Sequence, residues 1–232
     1  MSKKTAEERI QRLEDVHDIE TVFARRCYYH TAARHDLEIT ECWSRTREDV
    51  SIELEDWGRW IGRESVWKIY VESNPFKYPF PGLMSEHTIT TGVIEVAEDG
   101  ETAQAVWISP GHETVPVEGG MPIAHWCWNR YGVDFIKEDD EWKIWHMHIY
   151  STIRTPYDTD WVETSINRPA HFPPEGVGMP GMHPPDAPIT FNQPYRIDEA
   201  RELQPFLPKP YASWSETHGY TDPEGVRAPT TS

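Results

Sequence analysis

The sequence is poor in cysteine and has no long apolar run. Its three cysteines, Cys27, Cys42 and Cys127, are odd in number and far apart, with no CxxC pair. This pattern predicts neither a disulfide framework nor a cysteine zinc site. No apolar stretch approaches the ~18 residues of a membrane helix, and the charged first 20 residues lack the apolar core of a signal peptide. We therefore expect a cytoplasmic protein that does not engage membranes.

Basic residues are also scarce, with 22 Lys and Arg against 39 Asp and Glu and a net charge of -17. Nucleic-acid binding depends on basic side chains that neutralise phosphates, and none of the chain forms a basic stripe. The sequence contains no P-loop, GxGxxG or GxSxG motif, which argues against nucleotide cofactors and serine hydrolysis. A neutral or weakly polar small molecule is the expected partner.

Aromatic residues, in contrast, are abundant, with 11 Trp, 10 Tyr and 7 Phe. Trp and Tyr combine a large apolar surface with a polar tip, so an excess is typical of a pocket or an interface. The same residues can also simply fill a core, and composition alone leaves both interpretations open.

The first 153 residues predict helices followed by strands. Apolar residues at three- and four-residue steps indicate a helix from Ala6 to about Ala33, and a second helix is expected with Asp36 as its cap. A strand at Val50–Leu54, a return strand at Trp60–Ile61 and a third helix through about Val71 follow. After a loop from Asn74 to Leu83, four long strands are predicted, at 87–97, 101–112, 123–137 and 142–153. The expected class is α+β.

The composition changes near residue 154, because 14 of the 20 prolines lie beyond it. Proline is poor in the interiors of helices and sheets, and only a short helix from Ile197 to Leu203 is predicted. The segment also carries spaced aromatic residues that a disordered tail would lack. We therefore predict two parts, residues 1–154 as the folded domain and 155–232 as an extended proline-rich arm that serves assembly or covers a pocket.

Four short motifs resemble the SnoaL-like branch of the nuclear transport factor 2-like superfamily. They are Arg26-Cys27-Tyr28-Tyr29-His30, His35-Asp36-Leu37-Glu38, Trp60-Ile61-Gly62-Arg63-Glu64-Ser65-Val66 and Glu141-Trp142-Lys143-Ile144. Members include scytalone dehydratase, bile-acid 7α-dehydratase, ketosteroid isomerases, polyketide cyclases and diarylpropane lyases. The resemblance implies a cone-shaped α+β barrel, in which a curved mixed or antiparallel sheet wraps round the long first helix and leaves an apolar pocket.

The same resemblance implies a catalytic set of His87, Tyr28, His112 and Glu53. His87 corresponds to the histidine of the dehydratases, and imidazole exchanges protons near neutrality. Tyr28 corresponds to a tyrosine that polarises substrate oxygen. The aspartate that the dehydratases pair with their histidine is replaced by Ala33, so another carboxylate, such as Glu53, must orient His87 or the chemistry differs. Each residue could instead be packed or exposed without a catalytic role.

Further polar and aromatic residues are predicted to bind substrate: Tyr29, His30, Trp107, His146, His148 and Tyr150. His146 and His148 form an HxH pair that, with His87, His112 or a glutamate, could bind a divalent metal. HxH alone is a weak signal, and the superfamily usually works without metal, so we expect neither a metal nor another cofactor.

These residues predict a cofactor-independent lyase that cleaves a C–C or C–O bond in a hydroxylated aromatic or polycyclic compound, such as a lignin-derived diaryl compound. An isomerase or cyclase of the same fold and a non-catalytic small-molecule carrier remain alternatives. The resemblance also implies a homo-oligomer, a trimer in preference to a dimer.

Overall fold

A computed structural model describes residues 4–75, 79–115, 120–173 and 176–225 of the chain. Residues 76–78 of the predicted loop between Asn74 and Leu83 lie outside this part. No helix in the described ranges has the length and apolarity that crossing a bilayer would require.

The first helix, α1, spans Ala6–Thr31, close to the predicted range. It begins with a capping box in which Glu8 N donates to Thr5 Oγ1 over 3.2 Å and Thr5 N donates to Glu8 Oε2 over 2.6 Å. Its buried face begins only near Asp15 and includes Ile19 and Phe23. The second half of α1 therefore packs into the core.

Two shorter helices follow. The second, α2, spans His35–Cys42, and α3 spans Arg63–Trp67 and continues as one turn of π-helix over Lys68–Glu72. The prediction that Asp36 caps α2 is wrong, because the helix begins one residue earlier and its N-cap, Arg34, makes no side-chain cap bond. Asp36 instead accepts two hydrogen bonds from the Arg34 guanidinium.

One curved, unclosed sheet wraps round α1. Its seven described strands are β1 Ser51–Leu54, β2 Gly58–Ile61, β3 Ser85–His87, β4 Thr90–Val96, β5 Thr102–Val115, β6 Ile123–Glu138 and β7 Glu141–Pro156. The order is β2-β1-β7-β6-β5-β3, with β4 also paired to β5. The sheet is mixed, because β1 runs parallel to β7 while the other pairs are antiparallel. The strand predicted at 87–97 is divided into β3 and β4.

Side chains alternate between the two faces of this sheet. On the inner face Trp107 stacks on Phe23 of α1, with ring centroids 4.5 Å apart. A β-bulge changes the alternation in β7, since Asn129 pairs with Ser151 whereas Cys127 pairs with Arg154. The extra residue turns Arg154 to the inner face, where strict alternation from Ser151 would have placed Ile153.

The described parts of the C-terminal segment, residues 157–173 and 176–225, pack mainly on the outer face of the sheet, while Met179 and Met182 reach the inner side. It contains a short helix, α4, at Trp161–Ile166 and a 3₁₀ turn at Trp214–Glu216. The predicted helix from Ile197 to Leu203 is wrong. Both end residues are more than half exposed, so such a helix would bury too little apolar surface to offset its ordering.

Candidate active site

A cavity of about 100 Å³ lies between the second half of α1, the inner face of the sheet and the C-terminal segment. Most of the surface that its wall exposes is apolar, although 11 of the 19 lining residues have polar or ionisable side chains. The polar and ionisable residues that line it are Arg26, His30, Glu55, Tyr70, Asn74, Ser85, His87, Glu113, Asn129, Tyr131 and Arg154.

His87 lies at the centre of this polar set and is 8% exposed. Its Nε2 is 3.8 Å from Oε2 of Glu113, a charge contact longer than a hydrogen bond. Nε of Arg154 donates to the other carboxylate oxygen of Glu113 over 2.7 Å. The imidazole, the carboxylate and the guanidinium thus form a row on the sheet, whereas the resemblance implied a carboxylate at the helix position that Ala33 occupies.

Strand pairing explains how these three side chains meet. His87 is opposite Gly111, which in turn is opposite Cys127. A Cβ on Gly111 would lie 3.0 Å from His87 Nδ1 and 2.6 Å from the Cys127 carbonyl oxygen. Glycine at 111 therefore allows the imidazole to lie flat over the strand, with Glu113 two residues along on the same face.

Burial keeps His87 neutral and leaves one nitrogen free. It lowers the pKa of His87 to about 4, although Glu113 acts in the opposite direction. Burial alone would raise the pKa of Glu113, but Arg154 and His87 hold it below the ordinary value. His87 Nδ1 and Asn129 Oδ1 are buried without a hydrogen-bond partner among the described residues. Because His87 and Asn129 both line the cavity, its wall contains a buried imidazole nitrogen and a buried amide oxygen that have no partner among the described residues.

A second ionic cluster lies beside His87 on α1 and α2. Buried Glu38 contacts Nε of Arg26 at 2.7 Å, and its other oxygen lies 3.2 Å from His30 Nδ1 and 2.9 Å from His35 Nδ1. The His30 and His87 rings are 5.3 Å apart. Burial, followed by the charge of Arg26, lowers the pKa of His30 to about 3. His30 is therefore a neutral hydrogen-bonding group at physiological pH.

Two phenols also face the cavity. Arg26 donates to the hydroxyl oxygens of Tyr70 and Tyr131 over 3.2 and 3.3 Å. Because each phenol oxygen accepts from the guanidinium, its own proton remains available for another acceptor. Burial raises the pKa of Tyr131 to about 12, so this proton is retained. These phenols offer the donor function that the sequence assigned to Tyr28.

The predicted residues separate clearly by position. His30 and His87 line the cavity. Tyr28 is 79% exposed and does not, and Tyr29 donates to Glu41 over 2.5 Å. His112 is exposed on the outer face, where its ring packs on Trp126, and Trp107 belongs to the core.

The remaining four predicted residues lie together on the outer face, beneath the C-terminal segment. Glu53 is opposite His148 across the β1–β7 pair, and His148 Nε2 is 3.3 Å from Glu53 Oε1. Tyr150 stacks on His148 with centroids 3.6 Å apart, and His146 contacts Asp134 at 3.1 Å. These residues do not line the cavity. Their shared face was predicted, but it is the face away from α1.

Sequence reasoning did not select Glu113, Arg154, Arg26 or Glu38 as site residues. Glu113 follows directly after His112, so the alternation of side chains along β5 required one of the two to face inward. Arg154 carried no such signal, because the bulge that turns it inward is visible only in the strand pairing.

Two groups of side chains place possible metal ligands within 4.8 Å of one another: His30, His35 and Glu38, and His87, Glu113 and Cys127. In both groups an arginine already neutralises the carboxylate, Arg26 at Glu38 and Arg154 at Glu113. A divalent cation would have to displace that guanidinium or bind next to its positive charge. These donor sets therefore fit an acid–base site better than a metal site.

The sequence matches the family model of the SnoaL-like domain over residues 11–148. No curated protein matches the chain. Its fold is similar to that of a Novosphingobium aromaticivorans protein provisionally described as a scytalone dehydratase (14% identity, TM-score 0.52, covering 65% of this chain and 93% of that one). It is also similar to two hexachlorocyclohexane dehydrochlorinases. One is the type 3 enzyme of Novosphingobium barchaimii (16%, 0.51, 65% and 95%) and the other a type 2 enzyme (17%, 0.53, 72% and 99%).

Proposed function

The chain belongs to the SnoaL-like domain family, and from that premise we propose that it is a cofactor-independent lyase. Its substrate is a hydroxylated aromatic or polycyclic small molecule, for example a lignin-derived diaryl compound. The observation that carries this proposal is the buried imidazole of His87, which lines a mainly apolar cavity and whose Nδ1 has no hydrogen-bond partner among the described residues.

His87 acts as the general base. Glu113, held by Arg154, attracts the imidazole proton to Nε2, and the lone pair on Nδ1 then points away from the carboxylate. A neutral imidazole in this state takes a proton from a substrate C–H or O–H group. Removal from carbon forms a C=C bond as the C–O bond breaks, and the departing hydroxyl takes the proton that His87 has accepted and leaves as water. Removal from a hydroxyl forms a C=O bond as the neighbouring C–C bond breaks, and the released carbon keeps the electron pair and takes up the same proton from His87.

The leaving or developing oxygen needs a hydrogen-bond donor. Tyr70 and Tyr131 hold phenol protons at the cavity wall, and His30 lies beside His87. Fixed donors in a water-poor site stabilise an oxyanion without reorganisation. The structural neighbours named as a dehydratase and as dehydrochlorinases support elimination chemistry in a fold of this kind.

The test compares His87→Gln with His112→Gln, a histidine on the opposite face of the sheet. Hydroxylated diaryl and polycyclic compounds are incubated with each purified protein, and products are identified by mass spectrometry. We expect His87→Gln to lower kcat/KM by roughly 10²- to 10⁴-fold and His112→Gln to retain it. Unchanged turnover in His87→Gln would refute the assignment. A product with the formula of the substrate would indicate an isomerase or cyclase instead.

We also propose that the protein is a homo-oligomer, with a trimer preferred to a dimer. Large apolar side chains remain exposed near the edge where β6 begins and β7 ends, including Met121, Trp128 and Tyr157. Sedimentation of the full chain should give three times the monomer mass, and a monomer at micromolar concentration would contradict the proposal.

A further inference from the structure

Methionine side chains form part of the cavity wall. Met84 precedes β3, whereas Met179 and Met182 come from the C-terminal segment. Met179 is 9% exposed and Met182 packs against the hydrophobic core. A thioether is polarisable and flexible, and sulfur makes favourable contacts with aromatic rings.

The turn that carries these two methionines is anchored at both ends. Gly176 N donates to the Asp56 carbonyl over 2.7 Å, and His183 N donates to Ser73 Oγ over 2.8 Å. The indole N–H of Trp60 donates to the His183 carbonyl over 2.9 Å. Residues 176–183 are thus fixed against the β1–β2 hairpin and the end of the π-helical turn.

Glycine gives the turn its shape between those anchors. Gly178 and Gly181 have φ of +71° and +83°, a region that other residues avoid. Met182 N donates to the Met179 carbonyl over 3.0 Å, and Met179 N donates to Met182 Sδ over 3.3 Å. The backbone therefore places both side chains at the cavity instead of leaving them on a free loop.

The charges in the cavity wall are compensated in pairs. Arg26 contacts Glu38 at 2.7 Å, and Arg154 donates to Glu113 over 2.7 Å. Glu55 also lies 3.4 Å from Arg154, and burial raises the pKa of this second carboxyl group to about 7. A charged ligand would enter a site where each arginine already has a carboxylate partner, and desolvating an unpaired charge is costly. An uncharged ligand fits this wall.

Aromatic rings form another part of the wall, beside the aliphatic side chains of Leu54, Ile69 and Ile149. Trp57 lies next to the methionine turn, with its Cβ 4.0 Å from the position of a Cβ on Gly178, and Tyr70 and Tyr131 line the cavity as well. A saturated ring in this cavity would be stabilised only by the burial of its apolar surface. A flat aromatic ring would gain sulfur and ring contacts in addition.

We infer that Met179 and Met182 are specificity-determining residues, which select an uncharged aromatic ring in the cavity over a saturated or charged one. This inference rests on the function proposed above for the same cavity. It concerns binding rather than bond cleavage, so the two can fail separately.

The experiment measures binding by isothermal titration calorimetry with three probes of similar size: 2-naphthol, its saturated analogue decahydro-2-naphthol, and 2-naphthoate. The proteins are the wild type, Met179→Leu/Met182→Leu, and Met121→Leu as the matched control, since Met121 is 84% exposed. Leucine retains bulk and apolarity but removes sulfur. Circular dichroism and thermal melting confirm that each variant is folded.

We expect the wild type to bind 2-naphthol more tightly than either other probe. In the double variant, the ratio of the affinity for 2-naphthol to that for decahydro-2-naphthol should fall by roughly two- to tenfold for each methionine replaced. Met121→Leu should keep the wild-type ratio. Equal wild-type affinities, binding of no probe, or an unchanged preference in the double variant would overturn the inference. Tighter binding of 2-naphthoate would overturn the selection against charge. His87→Gln should keep the preference for 2-naphthol while losing turnover. The binding result can therefore be interpreted even if the lyase assay detects no activity.

Discussion

Nε2 of His87 and Oε2 of Glu113 are 3.8 Å apart on the inner face of neighbouring strands. The family resemblance implied a carboxylate near the end of α1, where this chain has Ala33, whereas in the structure the carboxylate comes from the sheet. The same carboxylate is held by Arg154, so it remains ionised while the imidazole stays neutral. This relationship sets the expected pH behaviour of the site.

The first prediction concerns the acidic limb of activity. The base must be neutral, and burial lowers the pKa of His87 to about 4. The kcat/KM should therefore persist below pH 6.5, the value for a free imidazole, and fall as the pH passes through about 4. Steady-state rates across pH 4–8 test this, with folding checked by circular dichroism at each pH. A midpoint near 6.5 would contradict a buried base.

Sequence periodicity predicted most of the helices and strands before residue 157, but not which face of the sheet is turned towards α1. The apolar steps between Ile10 and Phe23 predicted α1, and alternation predicted the long strands of the meander. Alternation also grouped His146, His148 and Tyr150 on one face. It could not tell which face α1 covers, because the C-terminal segment buries the other face equally well.

Long-range packing supplied the rest of the site. Arg154 faces inward only because of the bulge opposite Trp128 and Asn129, and no local pattern marks that position. Met179 and Met182 reach the cavity through a turn fixed by Asp56 and Ser73, more than 100 residues earlier in the chain. Such contacts depend on the whole fold.

The second prediction concerns the stability supplied by Glu38. This carboxylate is fully buried against Arg26, whose side chain is also 0% exposed. Replacing it by glutamine leaves a buried guanidinium without its counter-charge, which typically costs roughly 3–5 kcal/mol. Denaturant unfolding of Glu38→Gln should show that loss. Glu64→Gln removes an exposed partner of Lys68 and should leave the unfolding free energy unchanged, and equal effects in the two variants would contradict the prediction.

The third prediction concerns Glu53, whose pKa burial raises to about 7. Between pH 4.5 and 7 the folded protein holds a proton here that the unfolded chain has released, so this group lowers stability as the pH rises. Glutamine cannot ionise. The unfolding free energy of Glu53→Gln relative to wild type should therefore increase with pH over this window, by roughly 1 kcal/mol per pH unit at most.

Neighbouring His148 has the opposite effect, since burial lowers its pKa to about 3, and it is present in both proteins. The difference in unfolding free energy between Glu53→Gln and wild type, measured at pH 5, 6 and 7, therefore reports the ionisation of the Glu53 carboxylate and its influence on His148. Glu20→Gln, on the exposed side of α1, serves as a control with a constant difference. A difference that is constant in Glu53→Gln as well would show that the carboxylate is ionised in the folded protein throughout.

The last prediction concerns how the C-terminal segment is held to the sheet. Tyr220 is completely buried, stacks on Phe206 with centroids 4.8 Å apart, and covers Gly132, where a Cβ would lie 2.5 Å from its ring. Its backbone N–H donates to Asp134 over 2.9 Å, and its carbonyl accepts from His148 Nδ1 over 3.0 Å. Truncating the ring creates a cavity and loosens these bonds. Tyr220→Ala should thus lower the unfolding free energy by roughly 3–5 kcal/mol.

Limited proteolysis distinguishes local release of this segment from general unfolding. If residues 157–225 form an arm on a separately stable sheet and helix core, Tyr220→Ala should be cleaved first within the arm and leave a resistant fragment that ends near Pro156. Ile197→Ala, which truncates a side chain of the same segment that is 56% exposed, should match the wild type. Simultaneous cleavage of arm and core in Tyr220→Ala would instead show that the arm is part of one cooperative unit, because the polar residues beneath it cannot remain buried once it leaves.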